Sequence, residues 1–223
     1  MTEIASPPLY RLAARARDQA GTDRDGRDAA LVAITFSFIA LEAAINDLTV
    51  LCGLPDLKRN ADIIRKCAQV LAELDEKQES LPLKLSMLHA ILADEPFDKG
   101  ARPWQDLDSL IKLRNLVIHR RPAVAIFDPK APFGLRLSQP KVLQALFGKK
   151  LISEDEATRQ FWSTGVQKKE VAAWAVATSV ECFGAIVSLL PDSTPRDILA
   201  GVLQRDLRPL VDAEQGTIGV GSS

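Results

Sequence analysis

Histidine is the scarcest chemical resource in this chain of 223 residues: His89 and His119 are the only two. Any imidazole acid or base must be one of them. Cysteine is almost as rare, and Cys52, Cys67 and Cys182 show no metal-ligand spacing and no disulfide framework, which points to a reducing, cytoplasmic setting. The chain has no phosphate-cradling glycine loop and no carboxylate–histidine cluster with ligand spacing. No metal or other cofactor is expected. An excess of charge of one sign is missing as well, since 28 Lys and Arg meet 29 Asp and Glu for a net charge of -1. A global positive field for nucleic acid is thereby excluded, and an anionic partner needs a local patch. The first twenty residues lack the apolar run of a secretory signal.

What is present is the composition of a folding chain. At 47% hydrophobic and 26% charged residues, it departs from the apolar-poor, strongly charged pattern of disordered chains. Its length suits one core. Two apolar runs, 29–54 and 171–190, are long enough to span a bilayer. Each carries a glutamate near its middle, Glu42 and Glu181, and the first adds Asn46 and Asp47. They are expected to be core helices of a bundle, with no membrane partner.

The spacing predicts an all-α fold. Residues 1–26 read as an N-terminal arm with one short helix around Tyr10 to Gln19, and residues 27–211 as a single helical domain. Ile34, Phe38, Leu41, Ile45, Leu48 and Cys52 define one face of the first core helix, which Gly53 and Pro55 end. Asn60 is expected to cap a second helix, Leu81 to Ala93 forms a third, and Trp104 to Arg121 a fourth that Pro122 stops. Residues 122–161 read as an insertion. It begins with a proline-rich loop or short hairpin, continues with a short helix at Val142 to Phe147, and ends with a helix from the Ser153/Glu156 capping box to about Phe161. Gln167 to Leu190, rich in alanine and glycine, is the last long core helix, and Thr194 with Pro195 starts a final one to about Val211. Residues 212–223 read as a flexible tail.

One cation breaks the apolar pattern. Arg114 has Leu110, Ile111, Val117 and Ile118 as its neighbours at helical spacing, so an anion or a set of acceptors must answer it. Glu42, in an equally apolar run, can do so within the chain, which leaves a purely structural ion pair open. His119 follows Arg114 by five positions, about 140° around an ideal helix. The two do not stack on each other. His119 is open to either a capping or a chemical role, whereas His89 reads as structural.

Arg114-Asn115-Leu116-Val117-Ile118-His119 resembles the signature of HEPN domains, in which an arginine, a polar residue and three further residues precede a histidine. The similarity extends to Phe38-Ile39-Ala40-Leu41-Glu42-Ala43-Ala44-Ile45-Asn46, which is similar to the helix placed before that motif in many bacterial HEPN proteins. It covers roughly residues 29–121, with 167–190 as the closing helix. The resemblance implies a homodimeric helical bundle with two motifs facing one cleft. It also implies metal-independent endoribonuclease activity in toxin–antitoxin, phage-defence or RNA-processing systems.

In that role His119 would move protons at the ribose 2'-hydroxyl or the leaving 5'-oxygen, and Arg114 would hold the phosphate. Asn115, Glu42 and Asn46 would support the pair, and Lys112, Arg120 and Arg121 would supply the patch for RNA. An antitoxin or activator protein is the further partner implied. The chain departs from the pattern at Arg121, where the HEPN toxins paired with nucleotidyltransferases usually carry a tyrosine; its only tyrosine is Tyr10. The alternative from another class is a catalytically silent HEPN module that binds RNA, a nucleotide or a protein, with Arg114 locked to Glu42. A helical scaffold unrelated to HEPN domains is a third.

Overall fold

The computed structural model describes residues 4–54, 60–93, 98, 100–119, 125–127, 135–137, 140–154, 156 and 162–215. The fold is an all-α bundle with one short strand pair. Helices α1 (Ser6–Gln19), α2 (Arg24–Cys52), α3 (Ala61–Glu76), α4 (Leu81–Leu92) and α5 (Trp104–Ile118) come first. Strands β1 (Ala125–Phe127) and β2 (Leu135–Leu137) follow, then α6 (Lys141–Gly148), α7 (Trp162–Val166), α8 (Lys169–Leu189), α9 (Thr194–Val202) and α10 (Arg208–Gln215). The strands are antiparallel, with Ile126 opposite Arg136, which is the short hairpin expected after the motif helix.

Helix α2 is the axis of the bundle and packs against α1, α3, α5 and α8. Ile34, Leu41, Ile45 and Leu48 lie on its buried face at intervals of seven, four and three residues, and none is exposed beyond 1%. Both α2 and α8 are long and apolar enough to cross a membrane. Of their most apolar stretches, 50% and 61% respectively are buried inside the fold. Alanines and Gly184 on α8 permit close helix approach.

The sequence pattern starts the folded core near Arg27, but the structure starts it at α1. Tyr10 and Ala13 are wholly buried, and Asp47 of α2 accepts from the backbone N–H groups of Ala5 and Ser6 at 2.9 Å each. A buried carboxylate thus satisfies donors that a helix start leaves open. The Tyr10 hydroxyl donates to the Ser179 carbonyl at 3.3 Å, while Ser179 Oγ donates to the Ser37 carbonyl at 2.6 Å, so α1, α2 and α8 share one polar node. The residues that α1 buries are mostly alanines, so the sequence shows a short helix there but not its place in the core. Between α1 and α2 the chain doubles back so tightly that a Cβ on Gly26 would lie 2.5 Å from the Gly21 nitrogen. Only glycine fits there.

Several boundaries also move. Helix α5 ends at Ile118, so His119 is its C-cap residue and not part of its last turn. Asn60 adopts a left-handed conformation (φ 51°) and donates to the Asp192 carbonyl at 3.0 Å instead of capping α3. Ser193, one residue before Thr194, caps α9 by accepting from Arg196 N–H at 3.4 Å. The expected final helix is split by a π turn at Leu203–Leu207. Pro209 follows directly, and its ring would collide with the carbonyl four residues back in a regular helix. The Ser153/Glu156 capping box forms, with Ser153 N–H donating to Glu156 Oε2 at 2.9 Å and Glu156 N–H to Ser153 Oγ at 3.3 Å. Of the expected tail at 212–223, residues 212–215 instead continue helix α10 to Gln215, while residues 157–161 and 216–223 lie outside the described residues.

All three thiols are free and buried. Burial pushes Cys52 up to about 12 and Cys67 up to about 11, and raises Cys182 as well. Such thiols are inert in the native state.

Candidate functional site

The C-terminal end of α5 sits between two different environments, and the motif residues divide between them. On one side α5 faces α2. There Arg114, half-buried, lays its guanidinium over the Phe38 ring with Cζ 4.8 Å from the centroid, a cation–π contact worth about 0.5 to 2 kcal/mol. Its Nη1 donates to Asn115 Oδ1 at 3.0 Å, while its buried Nε has no hydrogen-bond partner among the described residues. Arg114 is thus held by a ring and an amide.

Glu42 stands one turn beyond Phe38 and is half-buried. Burial raises its carboxyl above the ordinary carboxylate range, and the charges of Arg114 and Lys84 pull it part of the way back. No direct hydrogen bond joins Glu42 to Arg114 among the described residues; their interaction acts through space. Asn46 is exposed and lines no part of the site.

A raised carboxyl has a consequence for stability. Ionising Glu42 opposes folding: the opposition is absent below the unfolded value, where the group is protonated in both states, and complete above the folded one. Glu42→Gln is therefore expected to raise the thermal midpoint at neutral pH, with the gain vanishing as the pH falls below about 4. Thermal scans of both proteins across that range check it. A variant less stable than wild type at neutral pH would mean that attraction to Arg114 outweighs burial.

On the other side of α5, Lys112, Asn115, Leu116 and His119 form one wall of an open groove of about 380 Å³. Pro140, Lys141 and Val142, at the start of α6, form the other. His119 is exposed at this groove because helix α5 has ended: its backbone N–H still bonds the Asn115 carbonyl at 2.9 Å, but its own φ and ψ (-103°, 58°) are no longer helical. Among the described residues, the lining carries two lysines, an imidazole and an amide, and no carboxylate. Two other surface grooves mix signs: one combines Arg102 and Arg208 with Glu181 and Asp212, the other Lys168 and Lys169 with Glu156 and Glu170. Lys112 is itself paired with Asp108 at 2.5 Å.

Of the residues expected to act together, His119, Asn115 and Lys112 share the groove, and Arg114 does not line it. The 140° separation accounts for this, since a helix face that meets α2 cannot also meet α6. Asn115 is the link, bonded to Arg114 and lining the groove. Arg120 and Arg121 lie outside the described residues. His89, on α4, does not line this groove. The periodicity did not reveal Lys141, which reads in the sequence as an ordinary solvated lysine at the start of a flanking helix. Among the described residues, no group of three His, Cys, Asp or Glu side chains is placed to hold a metal ion. No family model, curated protein or solved structure matches this chain.

Proposed function

We propose that this chain is a metal-independent endoribonuclease of the HEPN type that works as a homodimer in the cytoplasm, within a toxin–antitoxin or phage-defence system and under an antitoxin or activator protein. The observation that supports it is the exposure of His119 in a groove lined by Lys112, Asn115 and Lys141, with no carboxylate among its described lining residues. An imidazole there can take the proton of a ribose 2'-hydroxyl. The freed oxygen attacks the adjacent phosphorus, the bond to the 5'-oxygen breaks, and a proton returns to that oxygen. The products are a 2',3'-cyclic phosphate and a 5'-hydroxyl, with no net redox change and no water consumed.

The lysines offset the phosphate charge, and Asn115 donates from beside Arg114. Arg114 positions Asn115 in the single chain. In a dimer with facing motifs, it would contribute to phosphate binding only by leaving Phe38.

The test is purified protein with mixed RNA in EDTA, followed by analysis of the product ends. Cleavage with cyclic-phosphate termini on RNA and none on the matching DNA is the expected result. Intact RNA that nonetheless binds the protein would favour the second reading, a catalytically silent module for RNA, a nucleotide or a protein partner. The stacking of Arg114 on Phe38, away from the groove, speaks for that reading.

A further inference from the structure

We propose that Lys141 is a phosphate-binding residue of the His119 groove, and that α6, reached through the hairpin, is the element that holds it in place. For its chemistry the proposal rests on the RNA-cleaving reading; its binding test does not. Helix α6 is a firm support. Val142, Leu143 and Leu146 are buried in the core, and Lys149 at its far end forms an ion pair with Asp106, whose side chain is 6% exposed, near the start of α5. The two helices therefore run in opposite senses, pinned at one end by Lys149–Asp106 and facing each other across the groove at the other. That arrangement sets Lys141 opposite His119.

Ion pairing separates the lysines. Asp106 answers Lys149 and Asp108 answers Lys112, but Lys141 has no ion pair or hydrogen bond among the described residues. It is the groove cation whose charge is left for a ligand. A phosphodiester fits this lining better than a carboxylate-bearing peptide: every polar side chain among its described residues can donate, and the partly exposed Leu116 and Pro140 offer apolar surface to a sugar or base face. A lysine acts on phosphate as a point charge and needs no forked geometry.

The probe is a fluorescently labelled oligouridine with 2'-O-methyl sugars, which lacks the attacking hydroxyl. Its binding to the wild-type chain, Lys141→Ala, Lys141→Arg and Lys66→Ala is followed by anisotropy over a range of salt. Lys66 is an exposed lysine on α3, outside the groove. Lys141→Ala is expected to weaken binding and reduce the slope of log affinity against log salt by about 0.7, one single-strand phosphate contact. Lys141→Arg and Lys66→Ala should keep the wild-type slope. An unchanged slope in Lys141→Ala, an equal loss in Lys66→Ala, or no binding by the wild type overturns the proposal. An unchanged slope beside wild-type RNA cleavage removes Lys141 alone, whereas a reduced slope in a protein that cleaves nothing removes the nuclease reading and keeps the groove.

Discussion

His119→Ala is expected to lower the rate of metal-free RNA cleavage by about 10² to 10⁴, the range that a positioned general acid or base contributes. The rate should fall without a matching loss of fold. His119 lies beyond the helical residues of α5 and is exposed, so its side chain supports little packing, and surface changes of this kind usually stay within about 0.5 kcal/mol. Its backbone N–H, which closes the helix end onto Asn115, survives the substitution. Single-turnover cleavage and a thermal scan on the same preparations separate the two effects. Equal cleavage by wild type and variant would remove His119 from the chemistry, and a large drop in thermal midpoint would assign it a structural role.

A second large effect is expected in the core, where α1, α2 and α8 meet. Tyr10→Ala should destabilise the chain by about 3 to 5 kcal/mol, which for a domain of this size shifts the thermal midpoint by about 10 °C. The ring is wholly buried, 6.4 Å from that of Phe183, and its loss leaves a cavity between α1, α2 and α8. Tyr10→Phe isolates the hydroxyl. Ser179 keeps its bond to the Ser37 carbonyl, so that variant should lose only about 1 kcal/mol. Were Tyr10→Ala as stable as wild type, α1 would be an appendage, as its sequence pattern suggests.

The long helices were readable because their packing is written as spacing. In α2 the apolar positions recur with the helical period over many turns, and the same holds for α3 and α5. Helix α1 was legible as a short helix, but its place in the core was not: that rests on small alanines, one tyrosine and a distant carboxylate, Asp47, which carry too little apolar surface to mark a core helix. The π turn escaped for a related reason: Pro209 shows that a regular helix must change there, but not how. Asn60 looked like a cap by residue type alone, and its amide was claimed by Asp192, far away in sequence.

Half of the candidate site was legible. Arg114 broke an apolar stripe, and its need for a partner followed from the cost of burying a guanidinium. Glu42 reaches the guanidinium only through space, and the π face and neighbouring amide that do touch it leave no charge pattern in the sequence. His119 and Asn115 were expected at the site from the motif and line the groove. Lys141 could not be found from spacing, since it joins the groove of His119 only after the chain has passed through β1 and β2 to the start of α6.

The three buried thiols give the chain a built-in clock for its own opening. A thiol-reactive dye added to the native protein can modify Cys52 or Cys67 only when α2 parts from α3, and Cys182 only when α8 lets solvent in. Labelling rates at each cysteine, read site by site by mass spectrometry, thus become separate opening free energies for two regions of one bundle.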